Sequence, residues 1–142
     1  MLSGGFYDFT SDLSSKDTAY TSESLEPHND NTYFTEPAGL QALHLLSHTE
    51  GSGGESSLVD GFGAARQLFH QDKNAYLHLA TIGIYGHASG NDGISIQPAE
   101  AYPVLNHHRQ LGSLMQVRWN NADRAGLNCR LSRVEKWYDA AA

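Results

Sequence analysis

A single cysteine, Cys129, stands among 142 residues, so the chain has no internal disulfide to staple it. That fits a reducing compartment, and no nucleophile signature surrounds the thiol, which reads as a packing or surface residue. Positive charge is equally scarce: nine Lys and Arg face sixteen Asp and Glu, a net charge of −7. The nine are scattered, which argues against a phosphate-backbone partner such as nucleic acid. No apolar run approaches a membrane span. Met1-Leu2-Ser3-Gly4-Gly5 offers neither a basic start nor an apolar signal region. These absences read as a soluble intracellular protein, cytoplasmic or mitochondrial, with no targeting peptide in this sequence. There is no internal repeat and no domain linker.

What is present points to one globular domain over 1–142. The hydrophobic fraction is 39% and the charged fraction 18%, and the length suits one core rather than two. Histidine is the compositional excess, with eight copies, and it keeps a metal site in view.

Residues 10–32, "TSDLSSKDTAYTSESLEPHNDNT", form a long polar tract in which Ser, Thr and Asp compete for backbone hydrogen bonds. It reads as a loop, and one this long inside a compact domain is usually functional or disordered. "GLQALHLLSH" (39–48) reads as a buried strand, and "SSLVDG" (56–61) as another. Phe62, Ala65, Leu68 and Phe69 then follow helical spacing, and a second short helix covers 74–80. "GISIQP" and "LMQVRWN" look like strands, the latter alternating Met115, Val117 and Trp119 with Leu114, Gln116 and Arg118. "SRVEKWYDAA" carries a capping box, Ser132 with Glu135, ahead of a face of Val134, Trp137, Tyr138 and Ala141. The sequence stops within a turn of that face without a cap, and four or five strands are too few to close a barrel. It therefore reads as truncated, with Val134, Trp137 and Tyr138 expected to lack partners.

The polar tract ends in a His-x-Asp, His28-Asn29-Asp30. About half of one such pair is expected by chance in this composition, so the motif alone is weak. On a strand or its end, residues i and i+2 point to one side and can face one ion. One imidazole and one carboxylate, with a second histidine, make the facial triad of non-haem iron oxygenases. The other reading is a turn histidine bonded to its neighbour.

The blocks "GGFYDFTSD", "KDTAY", "EPHNDNTYFTEPAGLQALHLLSH", "GGESSLVDGF", "PVL" and "VRWNNADRA" occur in this order, from about Gly4 to Tyr138. Together they make the chain resemble the trimethyllysine and gamma-butyrobetaine dioxygenase branch of the TauD/TfdA-like family of Fe(II)- and 2-oxoglutarate-dependent oxygenases. The resemblance implies a mainly β fold with helices, a double-stranded β-helix (jelly roll), here partial and incomplete at the C-terminus. It implies Fe(II) as metal, 2-oxoglutarate as co-substrate and ascorbate as reductant. The implied activity is 3-hydroxylation of the small molecule N6,N6,N6-trimethyl-lysine, in carnitine biosynthesis, with gamma-butyrobetaine hydroxylation as the alternative. A homodimer is possible in a full-length member, and a non-catalytic fragment is the alternative from another class.

The resemblance carries metal ligation onto His28 and Asp30. It places a cage for the trimethylammonium cation on Tyr7, Tyr20 and Asp17, since such a cation offers no hydrogen bond and is held by aromatic faces and a carboxylate. Ser3 stands where the family has a further aromatic. Without the resemblance, Tyr7 and Tyr20 read as ordinary core or surface residues. Asn120 or Asn121 matches an asparagine that contacts the amino-acid end of the substrate, though "NNAD" is equally a turn. Leu43 and Ser56 match positions lining the 2-oxoglutarate pocket, Ser56 replacing a threonine. The family's second histidine and its arginine come from a downstream segment like "NWRVLHGR", which this sequence does not contain. His107 or His108 with Arg118 could mimic that pair by spacing, and stands as a distant second or as a cupin-like site.

Overall fold

The computed structural model describes residues 10, 12, 14, 20–49, 51–89, 93 and 95–142, and all eight histidines fall within them. Among the described residues the first α-helix starts from Asp60. Its carboxylate accepts the Gly63 N–H at 2.8 Å and so caps helix α1, Gly61–Gln71. Asp72 then does two jobs. Its own N–H closes α1 on the Leu68 carbonyl, while its side chain accepts the Asn74 and Ala75 N–H groups and starts α2, Lys73–Thr81. The two helices expected from spacing are thus both present, separated by one residue.

Seven short strands follow among the described residues: β1 Gly83–Gly86, β2 Ala88–Ser89, β3 Ser95–Ile96, β4 Tyr102–Pro103, β5 Leu105–His107, β6 Leu114–Val117 and β7 Arg124–Leu127. They form three antiparallel sheets, ordered β4-β1-β7, β2-β3 and β5-β6. Pro103 lies on the edge strand β4, where a missing N–H costs no ladder bond. β1 is pressed so close to its neighbour that a Cβ at Gly83 would stand 2.7 Å from the Ala101 carbonyl oxygen. A 3₁₀ turn, Leu131–Arg133, leads into α3, Val134–Ala141. Antiparallel sheets with a few helices agree with the expected class. The described strands are short and split among three sheets, and they do not trace the two facing sheets of a jelly roll.

Ala65, Leu79, Ile82, Val104, Leu105 and Trp137 form the core. α2 lies at its centre, packed on α1, α3 and β5. Trp137 is 0% exposed and nearly parallel to Trp119, with ring centres 6.4 Å apart. It therefore has the partners that the sequence reading denied it, and Tyr138 packs edge-on against it.

Three local expectations fail, each for a physical reason. Residues 39–48 form no strand, and Leu40 is 97% exposed. An apolar run becomes a strand only where a neighbouring strand takes up its N–H and C=O groups, and none does so here among the described residues. "SSLVDG" is also not a strand: Leu58 and Val59 are exposed and Asp60 is a helix cap. The capping box is not formed, because α3 begins at Val134 with Arg133 at the cap position and no side-chain cap bond. The 3₁₀ turn takes up Ser132 instead.

Trp137 Nε1 is buried without a hydrogen-bond partner among the described residues. An orphaned donor costs about 1–3 kcal/mol, so the residue contributes through ring volume and not through its N–H. Trp137→Ala should destabilise the chain by about 3–5 kcal/mol, whereas Trp137→Phe should retain most of the stability. Urea titration followed by circular dichroism reads both. Equal losses in the two variants would show that the indole N–H matters.

Candidate metal centre

His28 and Asp30 come together. His28 Nε2 lies 3.3 Å from Asp30 Oδ1. His28 Nδ1 is 2.7 Å from the Glu26 carbonyl oxygen, which can only accept, so Nδ1 carries the proton and donates it. Asp30 Oδ2 accepts from the Gln41 amide at 2.7 Å. Each outer atom is therefore tied down, and the two inner atoms lie within ion-pair distance of each other without a hydrogen bond between them. Two electron-rich atoms held that close repel unless a cation is shared between them. A metal ion or a second proton on the imidazole meets that need.

The donor set can be tested against a metal by distance. Two donors about 2.1 Å from one ion at a right angle lie about 3.0 Å apart, close to the separation here. A metal-binding histidine usually donates its other ring N–H to a carbonyl or carboxylate, as His28 does to Glu26. The pair fits as two ligands of a non-haem iron site. Among the described residues no group of three candidate ligands assembles.

Asn29, Asn31 and Arg118 shape the chain around this pair. Asn29, between the two ligands, pairs with Trp119 beyond the end of β6: its N–H donates to the Trp119 carbonyl at 2.7 Å, and its side-chain oxygen accepts the Trp119 N–H at 2.9 Å. Asn31 follows in the left-handed region, φ 59°, turning the chain sharply after Asp30. Arg118 then grips the next stretch. Its guanidinium donates to the carbonyls of Thr32, Phe34 and Thr35 at 3.2, 2.9 and 2.7 Å, and to the Gln116 side chain at 2.7 Å. β1 closes on the same stretch, and a Cβ at Gly86 would stand 3.3 Å from Tyr33, a tight fit.

Arg118 was the rival anchor for 2-oxoglutarate, with His107 or His108 as rival ligand, and the structure corrects that alternative. Arg118 is 5% exposed, stacks 4.1 Å over the Tyr102 ring, and spends four of its five N–H donors on the bonds above. Burial lowers its pKa, opposed by Tyr102 and Glu36. His107 sits between the Leu105 carbonyl and the Tyr76 hydroxyl, 3.1 and 2.7 Å away, and burial raises the Tyr76 pKa. His108 Nδ1 accepts the Gln110 and Leu111 N–H groups, shaping the β5–β6 turn. None of the three faces His28 and Asp30.

The remaining site expectations divide. Asn120 adjoins the motif, its amide reaching the Asn29 carbonyl at 3.5 Å, but it also binds Asp123 and accepts two N–H groups in the β6–β7 turn. Asn121 is exposed and gives only its oxygen, to Arg124. It lines a cleft of about 190 Å³ with Trp119, Arg124, Trp137 and Tyr138. Tyr20 is half-buried, and its carbonyl accepts the Asp12 N–H at 2.6 Å. Tyr7 and Asp17 lie outside the described residues. Leu43 and Ser56 are exposed on irregular chain, and neither lines that cleft.

Residues 3–140 match the model of the family described as "Taurine catabolism dioxygenase TauD, TfdA family". The chain belongs to the TauD/TfdA dioxygenase family. Its relatives include the "Trimethyllysine dioxygenase" of Neurospora crassa, 43% identical over 97% of this chain and 36% of that protein. The "Trimethyllysine dioxygenase, mitochondrial" of Gallus gallus is 40% identical over 96% of this chain and 33% of that protein. A human "Gamma-butyrobetaine dioxygenase" is more distant, 26% identical over 90% of this chain and 33% of that protein. The chain thus spans about a third of the length of the curated relatives it matches. No helix among the described residues is long and apolar enough to cross a membrane.

Proposed function

We propose that this chain carries the His-x-Asp half of the iron site of a trimethyllysine dioxygenase, with His28 Nε2 and Asp30 Oδ1 as two of three protein ligands. The observation that carries the proposal is the approach of these two atoms to 3.3 Å with both outer atoms already bonded. The names and higher identity of the trimethyllysine relatives favour 3-hydroxylation of N6,N6,N6-trimethyl-lysine, in carnitine biosynthesis, over gamma-butyrobetaine hydroxylation. Bound there with 2-oxoglutarate, Fe(II) would activate dioxygen, one oxygen atom going to the substrate C–H carbon as hydroxyl and the other to the co-substrate, which would leave as succinate and CO2. Ascorbate keeps the metal reduced.

The protein's own share is binding and orientation. Tyr7, Tyr20 and Asp17 hold the trimethylammonium end. Of the two asparagines, Asn121 is the better substrate contact, because its two amide N–H donors suit a carboxylate while Asn120 is consumed by its turn. Leu43 and Ser56 are assigned to the 2-oxoglutarate side. The jelly-roll core, and a mitochondrial address like that in the animal relatives' names, belong to this reading as well.

Three outcomes test it. In a protein of the relatives' length bearing this sequence, His28→Ala and Asp30→Ala should each abolish Fe(II) binding, measured as iron content after anaerobic loading. Undiminished iron in either variant would refute the ligand assignment. Tyr20→Ala and Asp17→Ala should weaken trimethyllysine binding by up to about thirtyfold, near 2 kcal/mol, and leave 2-oxoglutarate affinity nearly unchanged by calorimetry. Parent-like trimethyllysine affinity in both variants would move the cage elsewhere. The 142-residue polypeptide on its own, given Fe(II), ascorbate, 2-oxoglutarate and trimethyllysine, should make no succinate above a His28→Ala control, because its described residues bring together two ligands and not three. Steady succinate production would mean that one of the other histidines completes the triad.

A further inference from the structure

We infer that Arg118 is a positioning residue for the metal motif: with Trp119 it grips both ends of the segment from Asn29 to Thr35 and so fixes the aim of His28 and Asp30. The inference rests on the ligand reading above. Arg118 is the single buried charged side chain among the described residues. Holding a charge inside a small core is a poor way to gain stability, since an apolar side chain of similar volume often does as well or better. The bonding explains its presence. A guanidinium gathers three carbonyls, those of Thr32, Phe34 and Thr35, within four residues of chain. Carbonyl dipoles brought that close repel one another, and a planar cation with a fixed fork of donors holds them together.

The next residue completes the grip. Trp119 exchanges two hydrogen bonds with Asn29 across the His-x-Asp, and Arg118 N–H donates to Val104 in the core at 2.8 Å. Asp30 therefore lies between two tethers, both anchored to the same end of β6, and His28 adjoins the first. Thermal motion of the loop is suppressed where the ligands sit. In their absence a metal ion would have to order the segment as it bound, at the expense of affinity.

The test compares Arg118→Lys and Asn29→Ala with a core control, Val104→Ala. Lys keeps the charge but cannot span three carbonyls. Asn29 is exposed, so its replacement spares the core. Mn(II), a redox-stable probe, is titrated into the 142-residue protein while broadening of the His28–Asp30 amide resonances is followed by NMR, and Tm is recorded for each variant. The half-saturating Mn(II) concentration should rise about tenfold in Arg118→Lys and in Asn29→Ala. Val104→Ala should lower Tm and leave that concentration within about twofold. Unchanged Mn(II) affinity in both tether variants, with His28→Ala still deficient, would overturn the positioning role alone. Broadening that ignores His28→Ala, or none in the parent, would overturn the ligand assignment and this inference with it.

Discussion

Arg118 brings a full positive charge into a core otherwise made of Ala65, Leu79, Ile82, Val104, Leu105 and Trp137. A buried cation needs acceptors, and strand β6 supplies one of them, the Gln116 side-chain oxygen. The other three are main-chain carbonyls of a segment more than eighty residues earlier. The need to neutralise that charge therefore drives a long-range closure. The polar N-terminal tract, which forms no α-helix or strand among its described residues, is bound to the packed half of the molecule at residues 29–35. The metal motif lies inside that closure, which is how a loop without regular structure can hold two ligands in register.

The same closure explains why order stops soon after it. Beyond Thr35 the chain runs to Val59 with leucines at 40, 43, 45, 46 and 58 exposed, and regular structure resumes only at α1. Gln41 is the one side chain of this stretch tied to the motif, through Asp30. Exposed leucines on irregular backbone gain nothing from the hydrophobic effect. The strands that would cover a jelly-roll face are not supplied by β1 to β7, which form one three-stranded and two two-stranded sheets.

Helical periodicity was the legible part of the fold. Phe62, Ala65, Leu68 and Phe69 marked α1, and Val134, Trp137 and Tyr138 marked α3, because a helix satisfies its backbone locally and needs only an apolar stripe to pack. Strands were less legible for the opposite reason. "GLQALHLLSH" has the composition of a strand but no partner, while "GIYG" and "RAGL" have glycines in place of a strand pattern and pair well. Gly83 is required because the Ala101 backbone approaches it, Gly86 lies tight against Tyr33, and no local sequence shows either approach. At the site, the His-x-Asp and the family blocks pointed to His28 and Asp30. Arg118 was legible only as a basic residue at a suggestive spacing. Its role depends on three main-chain carbonyls, which leave no trace in side-chain identity.

The separation of duties around the motif bears on what the rest of a dioxygenase must add. His28 and Asp30 each have one atom bonded to the protein and one free, so a metal would find the first two ligands already oriented. Neither tether uses a group that a metal or 2-oxoglutarate would need: Asn29 works through Trp119, and Arg118 through carbonyls and Tyr102. A third ligand and a carboxylate-binding arginine can thus come from elsewhere without disturbing these bonds. The other seven histidines of this chain all lie within the described residues, and none joins the pair. Placement of the two proposed ligands is therefore a local property of residues 26–41 and 116–123. Completing a triad requires a donor beyond those that the described residues bring to the pair.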